Sequence, residues 1–128
     1  MFKQVICTEK APPAIGPYSQ AIKSGGFLFA SGQIPIDPST GQIVDGGIEE
    51  QTKQVLENVL GLLESAGMSL ENVVKTTLFI TNMDEFPIIN SIYSNYFKQS
   101  PPARSCVEVS ALPKGVKIEI EFIASLSG

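Results

Sequence analysis

Arg104 follows the rigid turn Ser100-Pro101-Pro102-Ala103 and opens the run Arg104-Ser105-Cys106-Val107-Glu108-Val109, and a short turn later comes Lys117-Ile118-Glu119-Ile120-Glu121-Phe122. Both runs read as strands, and side chains on a strand alternate between faces. Arg104, Cys106 and Glu108 therefore share one face of the first, and Glu119 and Glu121 one face of the second, with Ile118, Ile120 and Phe122 behind them. If the two strands pair, a guanidinium and a carboxylate meet across the ladder on a surface that also bears a thiol. Such a surface can hold a small acid and place a proton-handling group beside it. The same residues also fit plainer roles: a structural ion pair between Arg104 and Glu119, and a small buried hydrophobe at Cys106. Two features favour a ligand: the planar fork of arginine suits a carboxylate, and the turn before it sets the residue at a sheet rim.

The chemistry is bounded by what is missing. The 128 residues contain no histidine and only two cysteines, Cys7 and Cys106, far apart in sequence. That removes Ser-His-Asp and Cys-His catalysis, and it leaves no spacing suited to zinc or an iron–sulfur cluster. No glycine motif that cradles phosphate is present either. No metal or cofactor is therefore expected. The net charge is −4 without a cationic run, and the sequence pI is about 4.7, a poor match to a nucleic-acid backbone. Cysteine usage this sparse suits a reducing compartment, and no secretory signal or membrane-spanning run is evident, so a cytoplasmic protein is expected.

The elements that must position these residues follow from periodicity. With 43% hydrophobic residues, the chain is long enough for one core and is expected to form a single domain over 1–128. Residues 2–6 read as a short strand. The stretch 11–17, with Pro12, Pro13, Gly16 and Pro17, must be a loop. Residues 18–23 and 27–31 read as a hairpin turning at Ser24-Gly25-Gly26, and 34–47 as an extended loop. From Ile48 the period becomes helical, with the stripe Ile48, Thr52, Val55, Leu56, Val59, Leu62, Leu63 and Ala66 stopped by Gly67. A β-branched run at 73–81 predicts a strand. Asp84 is placed to cap a second helix with the stripe Phe86, Ile89, Ile92, Tyr93, Tyr96 and Phe97, and Pro87 is tolerated in its first turn. The order β-β-β-α-β-α-β-β predicts an α+β fold, a mixed sheet with two helices on one face. The bare face would carry Phe27, Phe29, Phe79, Cys106 and Ile123 beside Arg104 and Glu119. A surface that apolar predicts cover by another subunit.

Smaller signals stay ambiguous on their own. Ile15-Gly16-Pro17-Tyr18 can be an ordinary turn with a packed tyrosine, and Asn90 can serve helix packing. Ser31-Gly32 closes a strand where a glycine would let a ligand approach backbone N–H groups closely. Taken in order, however, Ala14-Ile15-Gly16-Pro17-Tyr18-Ser19-Gln20-Ala21, Ala30-Ser31-Gly32-Gln33-Ile34-Pro35, Val74-Lys75-Thr76-Thr77, Pro102-Ala103-Arg104-Ser105-Cys106-Val107-Glu108-Val109 and Lys117-Ile118-Glu119-Ile120-Glu121 resemble the RidA (YjgF-type) family over nearly the whole chain. Ser110-Ala111 and Gly115 depart from it, standing where Ala-Arg and Asp are frequent.

The resemblance implies a chorismate-mutase-like fold, a homotrimer with sites in the clefts between subunits, and hydrolysis of 2-enamine and 2-imino acids to 2-keto acids and ammonia. It implies that Arg104 grips the substrate carboxylate, that Glu119 stands near the attacking water, and that Cys106 shapes the pocket. Tyr18, Ser31, Gly32 and Asn90 match pocket-lining positions. An imine carbon is already electrophilic, so this chemistry needs positioning and proton transfer more than a metal or a covalent nucleophile. Two other readings stay open: a non-catalytic, carboxylate-binding or chaperone-like trimer, and a ribonuclease or translation inhibitor, against which the acidity and the missing histidine weigh.

Overall fold

The computed structural model describes residues 2–126. The first three strands, β1 (Gln4–Ile6), β2 (Ala21–Ser24) and β3 (Phe27–Gln33), form an antiparallel meander. Gly25 and Gly26 turn the β2–β3 hairpin with φ of 59° and 82°. Two consecutive positive φ values are what a two-residue turn needs to match strand twist. The stretch expected to be an extended loop instead folds back on itself as a two-residue hairpin, β4 (Ile36–Asp37) and β5 (Gln42–Ile43). The Asn58 amide, buried in the first helix, stitches this hairpin down by donating to the carbonyls of Ile34 and Ile36.

Helix α1 (Ile48–Ser65) buries the expected stripe. It stops at Gly67, φ 73°, where Met68 N–H reaches back to the Leu63 carbonyl, a left-handed cap that satisfies the last orphan acceptors. Strand β6 (Val73–Ile80) leads through a short 3-10 turn to α2 (Phe86–Tyr96). Asn82 caps that 3-10 turn, accepting from the Asp84 N–H, while α2 follows Glu85 without a side-chain cap, so Asp84 does not cap it. The extra turn moves the helix start one residue on from that set by an Asp84 cap. Strands β7 (Ala103–Glu108) and β8 (Ile118–Ser125) complete a six-stranded sheet in the order β1-β2-β3-β8-β6-β7.

That order corrects the pairing expected for the two site-bearing strands. β6 lies between them, parallel to β7 and antiparallel to β8. The physical reason is the β6–α2–β7 unit: a strand followed by a crossover helix returns parallel beside its predecessor. The chain then crosses to the other side of β6 before β8 begins.

Both helices pack on one face, over Leu28, Thr76, Leu78, Ile80, Ile118, Ile120 and Phe122, all buried. α1 also approaches the 8–12 loop closely enough that a Cβ on Gly61 would overlap the Lys10 carbonyl. Backbone cannot yield there as a flexible side chain can. Gly61→Ala is therefore expected to cost about 1–3 kcal/mol, the usual range for overpacking, read as a lowered urea midpoint. An unchanged midpoint would mean that the loop moves freely.

Candidate active site

Register assigns each candidate residue to a face. Arg104 aligns with Thr76, Cys106 with Leu78 and Glu108 with Ile80. All three partners are buried beneath the helices, so Arg104 and Cys106 lie on the helix side of the sheet, at its β7 edge. Glu119 aligns with Phe79 and Glu121 with Thr77, on the bare side. The two groups expected to face each other across a ladder thus stand on opposite faces of one sheet. The bare face does hold Phe27, Phe29, Phe79 and Ile123, but not Cys106 or Arg104.

The Arg104 half is built by α2. Phe86, Asn90 and Tyr93 recur at helical spacing on one side of that helix. Arg104 Nη1 donates to Asn90 Oδ1 at 2.8 Å. The guanidinium carbon lies 5.2 Å from the Phe86 ring centroid and 4.9 Å from that of Tyr93. The Tyr93 ring is itself fixed, its hydroxyl 2.7 Å from the buried Thr76 hydroxyl and its centroid 4.7 Å from that of the tilted Phe97 ring. With Nη1 engaged, the edge formed by Nε and Nη2 has no acceptor among the described residues. That edge is the one a carboxylate meets with two parallel hydrogen bonds. A groove of about 350 Å³ opens beside it, lined by Asn90, Tyr93, Pro101, Pro102 and Arg104 among others. Cys106 is half-buried nearby, and burial pushes its thiol up against the opposing pull of the Arg104 charge. A protonated thiol makes a pocket wall rather than a nucleophile.

The Glu119 half is built by a β-bulge. Ala30 pairs with Phe122 and Gln33 with Ile120, so Ser31 and Gly32 together oppose Glu121. A bulge of this kind re-aims the strand locally. The space over Gly32 is filled by the Glu119 carboxylate, which a Cβ would overlap. On that side of Gly32 the close approach is made by a side chain of the same protomer. Burial, then the neighbouring charge of Glu121, push the Glu119 carboxyl above the ordinary carboxylate range. Ser31 Oγ donates to the Ser19 carbonyl at 2.6 Å. With Tyr18, Ser19 and Phe29 it lines a shallow cleft of about 440 Å³. The Tyr18 hydroxyl accepts from the Ile15 N–H at 3.3 Å.

The loop bearing Tyr18 is anchored by the buried Gln20, whose amide donates to the carbonyls of Thr8, Ala11 and Pro12 while its oxygen accepts from the Thr8 N–H. One chain therefore presents two candidate half-sites: Arg104, Asn90 and Cys106 on one face, and Tyr18, Ser31, Gly32 and Glu119 on the other. From the sequence, Phe86 and Tyr93 emerge only as members of a helix stripe and Gln20 only as part of a motif, with no site role for any of the three. The spacing 86-90-93 puts a polar residue inside an aromatic stripe, and that was the available signal. Among the described residues no cluster of three or more His, Cys, Asp or Glu could hold a metal ion, and no helix is long and apolar enough to cross a membrane.

Comparison with known proteins matches residues 8–126 to the family described as Endoribonuclease L-PSP. A RutC family protein of Pyrococcus abyssi is 60% identical over 97% of this chain and 98% of its own. A 2-iminobutanoate/2-iminopropanoate deaminase of Mus musculus is 48% identical over 97% of this chain and 92% of its own. The crystal structure of a Rid-family protein of unknown function from Yersinia pestis superposes with a TM-score of 0.94 at 57% identity, covering 97% of this chain and 99% of that one.

Proposed function

The chain belongs to the RidA-type, endoribonuclease L-PSP family, and within it we propose that this member is a hydrolytic deaminase of 2-imino acids and their enamine tautomers. The observation that carries this reading is the free Nε–Nη2 edge of an arginine fixed in place without an ionic partner. The family includes relatives named for this activity, the mouse protein among them. In the reaction the substrate carboxylate docks on Arg104, and a water oxygen attacks the imine carbon to give a carbinolamine. Glu119 takes a proton from the water and gives it to nitrogen; a second proton then passes from the carbinolamine hydroxyl to nitrogen as the C–N bond breaks and the C=O bond forms, releasing ammonia and a 2-keto acid. Atoms balance with water as the only co-reactant. Positioning by Arg104 supplies proximity and Glu119 supplies acid–base help.

Two half-sites on opposite faces of one sheet cannot serve one small substrate within a chain. A head-to-tail contact, in which the bare face of one copy meets the β7 edge of the next, brings Glu119 of one to Arg104 of the other. Such contacts close into a ring, and the same contact covers Phe27 and Phe29, both more than 40% exposed in the single chain. The ring size proposed is three. Light scattering is expected to give about three times the 13.7 kDa chain mass; a stable monomer at micromolar concentration would remove the composite site. The activity itself is tested by generating 2-aminoacrylate or 2-iminobutanoate in situ and following keto-acid release. Accelerated release over the uncatalysed rate supports the reading, and no acceleration refutes it. The ribonuclease in the family's description finds little support in an acidic chain with neither histidine nor a basic run.

A further inference from the structure

Arg104 is held entirely by uncharged groups. Its hydrogen-bond partner is the amide oxygen of Asn90, and its guanidinium carbon lies over the rings of Phe86 and Tyr93. In a chain with 13 acidic residues against 9 basic ones, an exposed arginine beside a helix would ordinarily find a carboxylate. The acid nearest along its own strand face, Glu108, is engaged elsewhere, its Oε1 accepting from the Met83 N–H at 2.7 Å. Between them on that face stands Cys106, a neutral thiol.

We propose that Asn90, Phe86 and Tyr93 form a charge-neutral cradle that positions the Arg104 guanidinium while leaving its whole charge to a carboxylate ligand, with Asn90 as the residue whose neutrality sets the strength of that site. The inference rests on the deaminase reading for the identity of the ligand. Its physics is general. A long side chain loses rotamer freedom when it grips a ligand, and a scaffold that fixes it beforehand removes that cost. A carboxylate scaffold would fix it equally well but would satisfy the charge in advance, and the ligand would then compete with it. An amide oxygen accepts the same hydrogen bond in the same place without that competition. The aromatic faces add attraction for the cation while leaving its hydrogen-bonding edge open. Asn90 is thereby a positioning residue rather than one that touches the reacting atoms.

The test compares Asn90→Ala with Asn90→Asp. If Asn90 only braces the fold, aspartate, which is isosteric and binds arginine more strongly, rescues whatever alanine loses. The cradle reverses that order. Calorimetric titration with 2-oxobutanoate is expected to show about 3- to 10-fold weaker binding for Asn90→Ala, the size of one neutral hydrogen bond. For Asn90→Asp the weakening is expected to be about 10²-fold or more, because a charge-assisted partner now occupies the fork. KM should follow the same order, while kcat falls less than KM rises. Phe86→Leu, which keeps bulk but removes one π face, should weaken binding about two- to fivefold.

Melting temperature and light scattering check that each variant keeps the fold and assembly of the unmodified protein. Asn90 is exposed in the single chain, which favours tolerance; should Asn90→Asp fail to assemble, the Phe86→Leu titration decides instead. Binding by Asn90→Asp as tight as by Asn90→Ala, or tighter, overturns the cradle and leaves the deaminase reading standing. The expected binding order in a protein that releases no keto acid upholds the cradle and sinks the deaminase reading.

Discussion

Arg104→Ala is expected to lower kcat/KM for 2-iminobutanoate by about 10²-fold or more while leaving fold and assembly intact, the loss that follows when a partly desolvated, bidentate arginine–carboxylate contact is removed. The geometry sharpens this expectation. Arg104 makes no ion pair among the described residues and is exposed at a sheet edge, so little stability depends on it. Its removal empties the site without disturbing the core beneath. Arg104→Lys should recover only part of the loss. An ammonium group offers charge but not the parallel Nε and Nη2 donors, and it lacks the planar group that lies over the Phe86 and Tyr93 rings. Steady-state kinetics on both variants decide the matter. Near-normal turnover by the alanine variant would return Arg104 to a structural role.

The second large effect is expected at Glu119. Glu119→Gln keeps the shape and a hydrogen-bonding oxygen but ends proton exchange, and should lower kcat by about 10²-fold, the low end for acid–base groups because imines hydrolyse readily unaided. KM should change much less. The pH dependence has a definite sign. Burial first and the charge of Glu121 second hold the Glu119 carboxyl above its ordinary range. A group that accepts a proton from water works as the carboxylate, so the rate should rise as pH climbs through that elevated pKa. Glu121→Gln removes the like charge and should shift this limb to lower pH with little change in the plateau; Glu119→Gln should abolish the limb. A limb that survives in Glu119→Gln would assign the proton transfer to another group. The linkage to stability runs the other way: a carboxyl with a raised folded-state pKa favours the fold while protonated, and that contribution is lost as pH rises through it. Gly32→Ala offers an independent handle. The added methyl would displace a flexible carboxylate rather than backbone, so catalysis should fall more than stability does.

Much of this architecture was legible in local pattern. The 3.6-residue period from Ile48 to Ala66, the glycine stop at Gly67 and the Gly25-Gly26 turn each have a short-range physical cause, and all three stand in the structure. Strand order was a different matter. Alternation fixes which residues share a face of one strand but does not say which strand lies beside it. The insertion of β6 between β7 and β8 followed from the crossover through α2, a non-local constraint. That single difference moved Arg104 and Glu119 to opposite faces and turned an expected cross-strand pair into two half-sites. The β4–β5 hairpin was hidden because two-residue strands have no period to detect. Phe86 and Tyr93 were legible as an apolar stripe, and only the polar Asn90 set at helical spacing between them distinguishes rings that also carry a cation from rings that merely pack the core.

The most direct test of the composite site is complementation between two crippled variants. Arg104→Ala retains Glu119, and Glu119→Gln retains Arg104, so each alone should be nearly inactive. If each site draws Arg104 from one copy and Glu119 from the next, random exchange of subunits in an equimolar mixture restores both groups at about one site in four, and activity should recover to about a quarter of the unmodified protein's. Recovery should appear only after subunits have exchanged, for example by mixing in denaturant and refolding together. A mixture that has verifiably exchanged subunits and still turns over no faster than its components would contradict a site shared between copies.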